Sequence, residues 1–160
     1  MSIVGALAGG FAGTLVLTTT LRAASELRMT RMDLPFLLGT AFSEDRRRAK
    51  VIGYALHFLS GLGFAVVYWV LFVVLDRSSW WLGAIFGLVH VGFAGTALVN
   101  VILPVLHPRM GTPTTAARTT PLLEAPGFMF KNYGPRTAAV AVVAHVAYGA
   151  VVGAFVAAAS

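Results

Sequence analysis

Long uncharged apolar stretches alternate with short charged ones along this chain. Four of them, residues 3–21, 51–75, 80–103 and 137–159, hold no Asp, Glu, Lys or Arg. Crossing about 30 Å of hydrocarbon takes about 20 helical residues, so each is long enough to span a bilayer. The pattern predicts an all-α membrane protein: one domain of four transmembrane helices, at about 3–30, 44–75, 80–104 and 137–159. The loops are 31–43 and 105–136, and Asp76, Arg77, Ser78 and Ser79 form a hairpin too short for anything but antiparallel neighbours.

Local signals refine the ends. Arg22 and Glu26 have i,i+4 spacing, which carries the first helix past its apolar run, and Pro35 ends it. Ser43, followed by Glu44 and Asp45, reads as the cap that opens the second helix. Loop 105–136 is Pro- and Thr-rich and reads as irregular. Within it, residues 121–130 (PLLEAPGFMF) are apolar enough to lie on the membrane surface. Trp80 and Trp81 fit an interfacial aromatic belt.

Composition agrees with the pattern. Of the 160 residues, 58% are hydrophobic and 11% charged, against roughly 25% charged in soluble domains. The net charge of +6 would suggest nucleic acid in a soluble chain. Here every Lys and Arg except Arg77 flanks or occupies loops 31–43 and 105–136, so the positive-inside rule accounts for the charge without nucleic acid. The rule puts those loops in the cytoplasm and both termini outside. The apolar N-terminus lacks the preceding basic region of a signal peptide, so it reads as a retained span. Absence of cysteine excludes disulfides and thiolate metal sites.

An internal repeat overlies the spans. The pentapeptide Gly-Phe-Ala-Gly-Thr occurs at residues 10–14 and again at 92–96. Small residues and a histidine recur at four-residue intervals as Gly53, His57, Gly61, Ala65 and as Ala141, His145, Gly149, Gly153. Both point to two tandem two-helix repeats, related by an axis along the membrane normal. Glycine stripes, including Gly5, Gly9 and Gly13 and also Gly83 and Gly87, read first as packing faces. They could join helices within the bundle or build a homo-oligomer.

Ionisable side chains inside spans are functional candidates by default. His57, His90 and His145 qualify, and helix rise permits two or three of them to cluster. One reading is a haem b site with His57 and His145 as axial ligands. Another is a permeation path in an oligomer, with Thr14, Thr18, Thr96 and Asn100 as a polar seam and His90 as its titrating element. A third is neutral histidine bonded across helix interfaces. Because no acid lies within any span, a metal site is not expected. No zinc-protease or nucleophile-elbow motif occurs, no acid completes a triad with His57 and Ser60, and no catalytic residue is assigned. At the cytoplasmic face, Arg22, Glu26, Asp33, His107, Arg109 and Glu124 gather near the inner helix ends. Arg22 with Glu26, or the basic run Arg46, Arg47 and Arg48, could grip an anionic lipid headgroup.

Residues 29–40 (MTRMDLPFLLGT), 106–112 (LHPRMGT) and 126–134 (PGFMFKNYG) resemble phrases of a family of small uncharacterised bacterial membrane proteins of actinobacterial type. The resemblance covers nearly the whole chain. It implies four spans in a bacterial inner membrane but lends no activity and no catalytic residues. The function expected on these grounds is non-enzymatic: a structural, assembly or interaction role in the bilayer. Haem or small-ligand binding through the intramembrane histidines, and transport, are the alternatives.

Overall fold

The computed structural model describes residues 1–110, 123 and 125–160. Four helices are long and apolar enough to cross a membrane: α1 (Ile3–Glu26), α3 (Arg46–Val74), α4 (Trp80–Leu106) and α5 (Thr137–Ala158). A short α2 (Leu34–Gly39) lies between α1 and α3, and a 3-10 turn (Phe128–Tyr133) precedes α5. No strand is found among the described residues. Large apolar side chains face outward along every long helix, Val4, Leu59, Val74 and Val105 among them. Among the described residues the buried core is built mainly of alanine and valine with a few rings, notably Phe72 and Tyr148. An apolar exterior around a small-residue interior is the arrangement that lipid solvates well and water poorly.

α1 carries four threonines through an apolar environment because each hydroxyl donates to a carbonyl one turn back. The acceptors are Gly10 for Thr14, Thr14 for Thr18, Leu15 for Thr19 and Val16 for Thr20. Arg22 and Glu26 pair at 2.6 Å in the last turn, as their spacing predicts, and α1 then stops at Glu26. α2 was not expected. The Asp33 carboxylate caps it by accepting from the Phe36 N–H, and Pro35 sits in the first turn, where a missing N–H does no harm. The cap of α3 also differs from expectation: it is Asp45, accepting from the Arg48 N–H at 2.8 Å, two residues beyond Ser43. A carboxylate at the cap complements the helix dipole better than the hydroxyl does.

α5 is the hub. Added side chains at Gly83 or Gly87 of α4 would overlap the carbonyls of Gly149 or His145, so the α4 and α5 backbones touch. Gly5, Gly9 and Gly13 of α1 meet Phe155, Val152 and Tyr148 of α5 in the same manner. Across the α1/α3 contact, Gly10 of α1 meets Ala65, and Gly61 of α3 meets Thr14. The stripes are therefore packing faces inside one chain. The two pentapeptide copies do different work: Gly10 is against Ala65, whereas Gly92 faces open space.

In α4 the ladder widens to π-register over Ala94–Ile102. Pro104 has no N–H for the carbonyl four residues back, and the Leu103 N–H bonds instead to Leu98, five back. Asn100 fills in from the side, donating to the Gly95 and Thr96 carbonyls.

Of the stretch 121–130, residues 121, 122 and 124 lie outside the described residues, and in the 3-10 turn Phe128 is exposed. Phe130 of the turn is buried against the bundle, 2% exposed. Met129 and Phe130 adopt positive φ between Gly127 and Gly134, themselves at positive φ. The Arg31 N–H bonds to the Tyr133 carbonyl, the Arg31 guanidinium to the Asn132 carbonyl, and Thr30 shares a buried hydrogen bond with Thr137. The two basic connections are thus knitted into one floor.

Candidate functional site

The histidines of the spans converge. His57 from α3, His90 from α4 and His145 from α5 line one cavity of about 150 Å³, together with Thr14, Ser60, Phe64 and Tyr148. Met32, Leu34, Leu38 and Phe130 close it toward the basic end, and Leu98, Val99 and Leu103 line it from the widened half of α4. The histidine-bearing faces meet because the glycines beside them remove side-chain bulk: Gly87 admits α5 at the level of His145.

Each histidine is held differently. The Nδ1 of His145 lies 2.8 Å from the Ala141 carbonyl. A carbonyl only accepts, so Nδ1 carries the hydrogen and Nε2 is left as an acceptor. His90 stacks on Phe64 with ring centroids 3.7 Å apart, lies edge-on to His145 at 4.9 Å, and shares a 3.3 Å hydrogen bond between Nδ1 and the Tyr68 hydroxyl. His57 is 7% exposed, and its buried Nε2 has no hydrogen-bond partner. It also borders a narrow crevice that runs toward the basic end past Thr18, Arg22, Ser25, Asp33 and Tyr54.

A porphyrin does not fit between His57 and His145. Cavities near 150 Å³ admit a benzene-sized ring, a fraction of a four-pyrrole macrocycle. The Tyr148 hydroxyl moreover donates to the Gly61 carbonyl, tying α5 to α3 about one turn from His145 and His57. No group of three or more potential metal-binding side chains is found among the described residues.

The polar seam is not assembled as one surface. Thr14 and His90 line the cavity and Thr18 the crevice. Thr96 and Asn100 spend their hydrogen bonds on their own helix and line neither. Of the residues expected together at the cytoplasmic face, Arg22 and Asp33 line the same crevice, and His107 and Arg109 are held elsewhere. Arg22 pairs with Glu26, and Asp33 caps α2. His107 is buried, with Nε2 donating to the Leu37 carbonyl at 3.0 Å and Nδ1 accepting from the Arg109 N–H. The Arg109 side chain bonds to Ser43 and Glu44. Glu124 lies outside the described residues. Tyr148, Phe64 and Phe130 were not anticipated from sequence. Tyr148 had a signal, since its spacing of three from His145 puts both on one helix face.

Fold and site together define a helical bundle of membrane-spanning composition with a histidine-lined chamber at its centre. No protein-family model matches the chain, and no match to it is found among curated proteins or among solved structures.

Proposed function

We propose that this is a bacterial inner-membrane protein that binds a small ring-sized molecule inside its bundle and performs no covalent chemistry on it. The observation that carries this reading is His57, a lining residue of the cavity whose buried Nε2 has no hydrogen-bond partner. Leaving a buried polar atom unpaired costs about 1–3 kcal/mol. A ligand hydrogen-bonded there recovers that energy, and a purely structural or assembly role gives the cavity nothing to do. The lining is mostly apolar with a few convergent polar groups, the usual make-up of a small-molecule pocket.

The basic floor supports cytoplasmic placement of that end, with both termini outside. His57 and His145 reaching one chamber from matching positions supports descent from a duplicated two-helix unit. The resemblance to small actinobacterial-type membrane proteins is compatible with this reading.

The test is binding of para-fluorophenol to the purified protein in lipid nanodiscs, read by fluorine NMR and by histidine nitrogen shifts. A bound resonance, a displaced His57 signal and loss of both in His57→Leu are expected. No bound resonance at millimolar probe, or undiminished binding to His57→Leu, would refute the reading.

A further inference from the structure

α3 and α4 do not meet as α4 and α5 do. Near the hairpin they are held apart by rings: Phe72 and Tyr68 against Phe86, then Phe64 against His90 and Phe93. This ladder stops at Phe64 and Phe93. One turn further toward the basic end, Ser60 lines the histidine cavity and is also exposed. Opposite it stand Leu98 and Leu103, half-buried cavity residues on the stretch of α4 that ends the π-register. The cavity therefore has a mouth on the α3/α4 side, rimmed by Ser60 and Phe64, by Leu98 and Leu103, and by Leu38 below.

The depth of that mouth decides what it opens to. Ser60 lies ten residues after Lys50, roughly 15 Å along the helix. That is about half of a hydrocarbon core of about 30 Å. Its outward neighbours are Leu59, Gly63 and Val67, with the Gly63 face open. What reaches the mouth from outside is acyl chain, not water.

We infer that the chamber is filled sideways from the bilayer, and that its ligand is a lipid-soluble phenol. In this arrangement the ring sits among the histidines, and the hydrocarbon tail leaves between α3 and α4. The hydroxyl follows from the hydrogen-bond pattern. With Nδ1 of His145 committed to Ala141, its Nε2 accepts, and the matching ligand group is a donor. The ring follows from the size of the cavity and from Phe64 stacked on His90 at its edge. Phe64 stands at the rim, so its rotation sets the width of the opening.

This inference rests on the ligand-binding reading, and the experiment separates the two. The chain has no cysteine, so Ser60→Cys gives a single reactive site at the rim. The reconstituted variant is titrated with phenol and with para-octylphenol, before and after reaction with N-phenylmaleimide. Expected are binding of both probes to the unmodified variant, para-octylphenol at least as tightly as phenol, and loss of para-octylphenol binding once the introduced thiol carries its adduct. Phenol bound with para-octylphenol rejected would overturn the lateral mouth and leave the binding reading standing. Para-octylphenol binding unaffected by the adduct would overturn the mouth as well. If neither probe binds, both readings fall.

Discussion

Tyr148 on α5 donates its hydroxyl hydrogen to the Gly61 carbonyl of α3 at 2.5 Å, joining two helices that otherwise scarcely touch. The bond passes through a low-dielectric interior, yet polar bonds between membrane helices are individually modest. Tyr148→Phe keeps the ring and its contacts, so the expected loss is the bond alone, about 0.5–1.5 kcal/mol. Reversible unfolding in mixed detergent micelles measures it, with a helix content unchanged from the parent.

The glycines divide into those that permit contact and those that do not. Gly149→Ala and Gly83→Ala each place a methyl group against a backbone carbonyl across the α4/α5 contact. Overpacking of this kind costs about 1–3 kcal/mol, and the midpoint of unfolding should fall accordingly. Gly63→Ala and Gly92→Ala meet nothing within 4 Å. Both are helical, so the gain in helix propensity leaves them neutral or more stable by up to about 1 kcal/mol. A uniform response of all four variants would contradict the packing described.

His57→Leu is expected to make the protein more stable while abolishing the proposed ligand binding. The substitution deletes the unpartnered Nε2, and the gain should be about 1 kcal/mol in the ligand-free protein. His145→Leu lacks this benefit, because its Nδ1 is already bonded to Ala141. Thermal unfolding of the two variants side by side checks the ordering; His57→Leu less stable than the parent would contradict it.

His107 pins α2 from a distance, through Leu37 and Thr40. His107→Ala removes both bonds and the one to the Arg109 N–H. Hydrogen exchange should then accelerate across residues 34–42 and stay unchanged in α4 and α5. Equal acceleration throughout would mean that the whole bundle had loosened.

Orientation is tested by labelling. Single cysteines placed at Ser2 and at Ser78 should react with a membrane-impermeant maleimide in intact cells, and one at Arg47 only after lysis. The reverse pattern would invert the topology.

The spans were legible because each is a continuous uncharged run, a property of neighbours in sequence. So was the Arg22–Glu26 pair, set by helix spacing alone. The glycine faces were legible as faces, but which helix each one meets was not, because that depends on pairing at long range. The cap at Asp45 was missed by two residues, as adjacent Ser43, Glu44 and Asp45 all suit the position. α2 and the buried turn at Phe130 left little local trace: both are held by partners in other parts of the chain, Ala49 and Gly53 for the former and Arg31 for the latter. The chamber is a product of all these contacts, so its histidines could be named from sequence while its size and its unpaired nitrogen could not.

Glycine welds α5 to its neighbours on both sides, whereas α3 leans on α4 through rings and the Tyr68–His90 hydrogen bond. A bundle fastened this unevenly has one compliant seam. Lateral pressure from surrounding lipid, or a change in bilayer thickness, acts on that seam first, so under the proposed ligand-binding reading the mechanical state of the membrane would control how readily the chamber fills.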